Sequence, residues 1–310
     1  MLSFREDGSF TIVQLTDLHW KDGGPLDTRT ERFIRSVLEA ENPDLVAITG
    51  DVIDKKECAE PLAAFERAVS PICEAGVPWA FVLGNHEHEC GIHPLLFAAM
   101  LRRLPHSLYS AGPEKVRGWS NYVLPVRGFR STRPAAALFM FDSGGKTAMP
   151  FGGTEWIHSS QIEWYRREAE KLAAAGGGKP LPSLAFFHIP LPEYKEVWDR
   201  CVCYGNKLKE TDCPKINSGL FAALVESGGM MGTFAGHCHL NDYYGDLYGI
   251  RLCYARASGI GAKGPDEYER GARVVRLYEG RRTFELWQRL ENGKTIMAPT
   301  EHEPEDFRLI

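Results

Sequence analysis

Long apolar runs are the first thing this sequence lacks. None of its 310 residues lies in a stretch resembling the ~20 consecutive apolar positions that a bilayer-spanning helix needs. The opening Met1-Leu2-Ser3-Phe4-Arg5-Glu6-Asp7 has no apolar core of a secretory signal, so the expectation is a cytoplasmic chain without a membrane partner. An excess of one charge is missing too. A net charge of -5 and a pI near 6.1 give no general attraction to nucleic acid, and no nucleic-acid partner is expected. No fixed-period repeat and no Pro-, Gly- or Ser-rich linker divides the chain. The reading is one domain over residues 1–310, with a core at about 8–290 and a peripheral tail at 291–310.

A disulfide framework is also absent. The eight cysteines (Cys58, Cys73, Cys90, Cys201, Cys203, Cys213, Cys238 and Cys253) are too sparse for one in a chain of this length. Cys73 and Cys253 lie in apolar patterns and read as buried thiols. Cys201, Cys203 and Cys213 cluster, but they lack the fourth ligand and the spacing of a zinc knuckle.

What is present is a succession of apolar strands alternating with amphipathic helices. Phe10 to Thr16, Asp44 to Thr49 and Trp79 to Leu83 read as strands. Thr28 to Ala40 and Glu60 to Glu74 read as the helices between them, with Phe33, Ile34, Val37 and Leu38 on one face of the first. Strands apolar throughout and joined by single helices predict a parallel start covered on both faces. Further on, Ser120 to Leu124 and Ala136 to Phe141 read as strands, Gln161 to Ala175 as a helix, and Leu184 to Phe187 as a strand. Ser218 to Glu226 reads as a helix and Met231 to Ala235 as a strand. A short helix is expected within His93 to Leu104. Leu191 to Ile216 shows little periodicity and reads as a long irregular loop. Three short strands between Arg251 and Trp287 suggest a hairpin-rich end.

The polar residues of interest fall where those strands end: Asp17, His19, Asp51, Asn85, His86, His188, His237 and His239. In open α/β sheets the ligand site lies at the carboxyl ends of the strands. Singly, each has an ordinary explanation. Asp17 and Asp51 are acceptable turn caps, His188 a satisfied core histidine, and His19, His237 and His239 loop residues. Together they form a donor set of oxygen and nitrogen without thiolate, which suits Mn, Fe or Zn. Eight groups exceed what one tetrahedral site uses, and point to two ions sharing a carboxylate. Other histidines (His88, His93, His106, His158) read as loop or helix-end residues, Asp142 as the cap of the following Ser143-Gly144-Gly145 turn, and Glu87 as a residue that orients a ligand by hydrogen bonding.

Taken in order, Asp17-Leu18-His19, Gly50-Asp51, Gly84-Asn85-His86-Glu87, His188 and Gly236-His237-Cys238-His239 resemble the calcineurin-like metallophosphoesterases. Phe187 to Tyr194, Asn217 to Phe221 and Asn241-Asp242-Tyr243 resemble the purple-acid-phosphatase-like branch. That resemblance implies an α/β fold: a four-layer α-β-β-α sandwich of two mixed sheets with a βαβαβ start and the metal site at the C-terminal strand ends. It implies two divalent or trivalent metal ions (Mn, Fe or Zn). One would be bound by Asp17, His19 and His239, the other by Asn85, His188 and His237, with Asp51 bridging. His86 would contact substrate phosphate and help protonate the leaving oxygen as a metal-bridging hydroxide attacks. The tyrosine ligand of purple enzymes has no counterpart; Asp54 stands near its place. A small phosphorylated substrate is expected, with a phosphodiester (cyclic nucleotide or glycerophosphodiester) or a phosphoprotein as alternatives, and a non-enzymatic scaffold as the contrasting class. Substrate choice is expected to reside in Glu193 to Ile216 and Lys263 to Glu269. Cys238, between two implied ligands, reads as a spacer that points away from them.

Overall fold

The structure is a computed structural model that describes residues 1–265 and 267–304. Asp266, in the second expected substrate loop, and residues 305–310 of the expected tail lie outside the described residues. The chain opens with β1 (Ser9–Leu15), α1 (Pro25–Glu41), β2 (Leu45–Thr49), α2 (Pro61–Glu74) and β3 (Trp79–Val82). It continues through α3 (Asn85–Glu89), α4 (Pro94–Leu101), β4 (Tyr122–Arg127), β5 (Pro134–Met140), α5 (Ser159–Ala175) and β6 (Ser183–Phe186). Then come α6 (Glu193–Arg200), β7 (Cys203–Tyr204), α7 (Leu220–Glu226), β8 (Met230–Ala235), β9 (Tyr244–Leu247) and β10 (Ile250–Tyr254). The last elements are β11 (Gly271–Tyr278), β12 (Phe284–Leu290), β13 (Thr295–Ile296) and β14 (Glu301–His302).

Two mixed sheets result. One runs β13-β12-β11-β1-β2-β3, the other β14-β7-β9-β10-β8-β6-β5-β4. β1, β2 and β3 are mutually parallel, and β11 closes on β1 antiparallel. In the second sheet β5, β6, β8 and β10 are parallel. The near-continuous apolar strands have a simple cause: both faces are covered, and side chains alternate between them. In β5 Leu138 and Met140 enter the core between the sheets, whereas Ala137 and Phe139 face the outer core under α5 and α7. In β6 Leu184 and Phe186 face inward and Ala185 outward. The helices α1 and α2 pack the outer face of the first sheet through Phe33, Ile34, Phe65 and Val69. The four layers are therefore helix, sheet, sheet, helix.

Three expectations need correction. The segment expected to be irregular from Leu191 to Ile216 contains α6 and β7. α6 is only two turns long and buries Glu193, Tyr194 and Val197, too short a stripe to read as periodic against its charged neighbours. Trp198 stacks on His302, with ring centroids 3.8 Å apart, and packs this region. Cys73 is only half-buried, at the end of α2, whereas Cys253 is fully buried as expected. α1 begins earlier than expected, at Pro25, because proline is pre-set for a first helical turn.

Candidate metal centre

Every one of the eight strand-end residues is brought to one basin, at the C-terminal ends of β1, β2, β3, β6 and β8. The basin straddles both sheets. Asp17, His19, Asp51, Asn85 and His188 are buried, and His86, His237 and His239 are partly open. On one side His19 Nε2 lies 2.9 Å from His239 Nε2, and His239 Nε2 lies 3.2 Å from Asp17 Oδ1. On the other, His188 Nε2 lies 3.2 Å from Asn85 Oδ1 and 3.3 Å from His237 Nδ1. Asp51 stands between: its Oδ2 is 3.1 Å from His188 Nε2 and 3.9 Å from both His19 Nε2 and His86 Nε2.

This arrangement fits cations. Asp17 Oδ1 is buried without a hydrogen-bond partner among the described residues, which costs free energy unless a positive charge meets it. Ring nitrogens and carboxylate oxygens converge on common points. Among the described residues, three clusters offer at least three such atoms within 4.8 Å of one another: Asp17 with His19 and His239, Asp51 with His188 and His237, and His19 with Asp51 and His86. All are oxygen and nitrogen donors, the set suited to Mn, Fe or Zn.

Backbone strain marks the same residues. Asp17 (φ 53°), His19 (φ 47°), Asp51 (φ 51°) and His237 (φ 69°) all occupy the left-handed region. Asp and His tolerate it better than most, but it remains unfavourable and concentrates at functional sites. The turns are tight enough to need glycine beside them. A Cβ on Gly84 would meet Asp51 Oδ1 at 2.3 Å, and one on Gly236 would meet Thr16 Oγ1 at 2.0 Å.

The surroundings hold the basin in place. Glu87, fully buried, accepts hydrogen bonds from the backbone N–H of Asp51 (2.9 Å), Val52 (2.8 Å) and Gly84 (2.8 Å). It thus orients the loop that carries Asp51. Thr49 O lies 2.7 Å from His188 Nδ1 and fixes that ring. The Nδ1 of His86 lies 3.1 Å from both Lys55 N and Ile53 O, accepting from the first or donating to the second according to the tautomer, and its Nε2 faces the basin. Two outer carboxylates stand behind the rings: Asp54, expected near the place of the purple enzymes' tyrosine, 3.8 Å from His19 Nδ1, and Asp212, which nothing in the sequence marked, 3.5 Å from His237 Nε2.

In the protein alone, these groups hold one another charged. Burial opposes ionisation of Asp51, but His188 and His86 outweigh it and keep its pKa far below the ordinary range. Burial likewise disfavours a charged His19, yet Asp17 and Asp54 raise its pKa to about 10. For His188, Asp51 overcomes burial and raises it to about 9. His86 differs: burial dominates over Asp51 and lowers its pKa.

Of the remaining residues singled out, Asp142 does cap its turn, accepting Gly144 N at 2.9 Å. It also pairs with His88 Nε2 at 2.8 Å, so His88 is a shielded ion-pair partner and not a plain loop histidine. His93 and His158 stand at helix starts. Cys238 is buried in the outer core, turned away from the basin, and burial pushes its thiol up to about 11.

Comparison with known proteins agrees with this geometry. The calcineurin-like phosphoesterase family profile matches residues 10–240. Two Arabidopsis thaliana proteins are similar along nearly the whole chain. The one named Probable inactive purple acid phosphatase 28 is 32% identical, over 94% of this chain and 83% of its own length. The one named Probable inactive purple acid phosphatase 29 is 30% identical, over 95% and 83%. A dimetal phosphatase from Danio rerio has the same fold, with a TM-score of 0.62 at 15% identity over 93% of this chain and 99% of that one. With the family profile spanning every strand end that lines the basin, the chain belongs to the calcineurin-like phosphoesterases, on their purple-acid-phosphatase-like side.

Proposed function

We propose that this chain hydrolyses small phosphate esters with two metal ions. Asp17, His19 and His239 would hold one ion, and Asn85, His188 and His237 the other, with Asp51 common to both. The observation that carries this reading is the position of Asp51 Oδ2, within 4 Å of ring nitrogens from both clusters. Bound divalent cations supply Lewis-acid polarisation of a phosphoryl group and neutralise the charge that spreads over its oxygens.

The residues do the rest. Glu87 and Gly84 hold Asp51 in place. Asn85 contributes a neutral oxygen, which limits the negative charge facing an anionic substrate. His86, with Nδ1 accepting the Lys55 N–H, carries its ring proton on Nε2 at the edge of the basin. From there it contacts the substrate phosphate and delivers a proton to the departing oxygen. Monoesters are the favoured substrates, and phosphodiesters the next.

The names of the two plant relatives support a second reading, a binding module on the same fold. One experiment separates them. Protein stripped with chelator and reloaded with Mn2+ is assayed on p-nitrophenyl phosphate and bis(p-nitrophenyl) phosphate. Metal-dependent turnover, faster on the monoester, is expected. Two bound ions with no turnover on either ester would favour the binding module.

A further inference from the structure

The stretch from Asn206 to Asp212, between β7 and α7, is fastened along the loop that carries His237 and His239. Asn206 N donates to Asp242 Oδ1 at 2.6 Å, and Leu208 N and Lys209 N both donate to Asn241 Oδ1, at 3.1 and 3.0 Å. Lys207 and Asn241 form an isolated antiparallel bridge. Asp212 N donates to the sulfur of Cys238 at 3.4 Å, and the Cys238 thiol points to Glu210 O at 3.9 Å. Tyr254 Oη also donates to that sulfur, at 3.6 Å. The residue between the two histidines is therefore an anchor for this strap. Its last anchored residue, Asp212, sets a carboxylate beside the outer face of His237.

His237 presents Nδ1 to the basin, 3.3 Å from His188 Nε2. A ring nitrogen that binds a cation must be bare, so the proton of the neutral ring then sits on Nε2. Nε2 is shielded from solvent and has no hydrogen-bond partner among the described residues. Asp212 Oδ2 lies 3.5 Å away on a half-exposed side chain. We propose that Asp212 is a positioning residue for the second metal, accepting the Nε2 proton of His237 and so fixing its tautomer and ring plane. This inference rests on the two-metal reading above. A carboxylate that holds the outer nitrogen of a ligating histidine raises the basicity of the inner one, and losing such a partner typically weakens metal affinity by ~10–100-fold.

The test uses the full chain, stripped of metal and titrated with Co2+ alone, read by visible absorption and by competition with a chelator. The wild type should take up two equivalents. In Asp212→Ala and Asp212→Asn one equivalent should weaken by ~10–100-fold while the other is unchanged, and Asp212→Glu should restore most of the loss. The isosteric Asp212→Asn carries the comparison should the alanine variant fail to fold; thermal unfolding of the metal-free proteins establishes that. Both equivalents held as tightly by Asp212→Asn as by the wild type would overturn the inference, and so would an Asp212→Glu variant as weak as the alanine. A wild type that fails to bind two equivalents would instead defeat the two-metal reading itself.

Discussion

Glu87 reaches back from the first turn of α3 to accept the main-chain N–H of Asp51 at 2.9 Å, across the gap between two strand ends. The same carboxylate takes the N–H groups of Val52 and Gly84. In Glu87→Ala these three donors, and Ile53 N at 3.3 Å as a fourth, would be buried without an acceptor, at a cost of about 1–3 kcal/mol each before relaxation. Urea unfolding should show a loss of at least about 3 kcal/mol, accompanied by weaker metal uptake. Glu87→Gln should recover only part, because its amide hydrogens face donors. A Glu87→Ala protein with wild-type stability would show that the loop is held by something else.

Gly84 offers a cleaner steric test. Its φ of -96° suits any residue, so a side chain there brings no backbone strain. A Cβ would nonetheless meet Asp51 Oδ1 at 2.3 Å and Asp51 N at 2.4 Å. Gly84→Ala should therefore displace Asp51 and cost metal affinity at both positions together, since Asp51 is the shared residue. Isothermal titration with Mn2+ checks this. Loss at one position only would contradict the shared role.

For His86 the expected signature is a dependence on leaving group. A proton donor matters most when the departing oxygen is basic. His86→Ala should retain two metal ions yet lose about 10²–10⁴-fold in kcat on an alkyl phosphate, with a smaller loss on p-nitrophenyl phosphate. Metal content by elemental analysis and kcat on the two esters together decide it. An equal loss on both would remove the proton-donor role, and loss of an ion would make His86 a ligand, as its 3.9 Å approach to Asp51 Oδ2 would then mean.

Why the sequence carried this much of the site is a matter of where information is local. Each strand-end residue follows a short apolar run, so its place at a sheet edge could be read without knowing its partners. β6 is four residues long and still delivers His188 to the basin. The sandwich was legible for the same reason: Leu138 and Met140 face one core and Ala137 and Phe139 the other, which is what makes such strands apolar throughout. What was not legible depends on contacts between distant segments. Asp212 lies in a polar stretch with no periodicity, and hydrogen bonds from that stretch to Asn241, Asp242 and Cys238 place it beside His237. The left-handed φ of Asp17, His19, Asp51 and His237 left no mark either, because none of them is glycine. β14 pairs with β7 through two residues, Glu301 and His302, whose neighbours give no strand pattern.

The raised pKa values of His19 and His188 make metal loading a proton-releasing event. Burial acts against charge on both rings, but Asp17 and Asp54 lift His19 to about 10, and Asp51 lifts His188 to about 9. Unfolded, each ring titrates near its ordinary 6.5. The folded pKa is thus the higher one, and the stability these pairs give the metal-free protein is fully present below about 6.5. It is lost as pH rises through about 9–10. A cation needs the same nitrogens bare. Between these limits it must expel their protons, and its apparent affinity should climb by about tenfold per pH unit for each proton displaced. Calorimetric titration with Mn2+ in buffers of different ionisation enthalpy measures that number directly, with more than one proton released at pH 7 expected. The metal-free protein should lose stability over the alkaline range in which metal binding gains, so the thermal shift produced by Mn2+ should widen from pH 7 to pH 9. A shift that stays constant would mean that His19 and His188 are already neutral before the ions arrive.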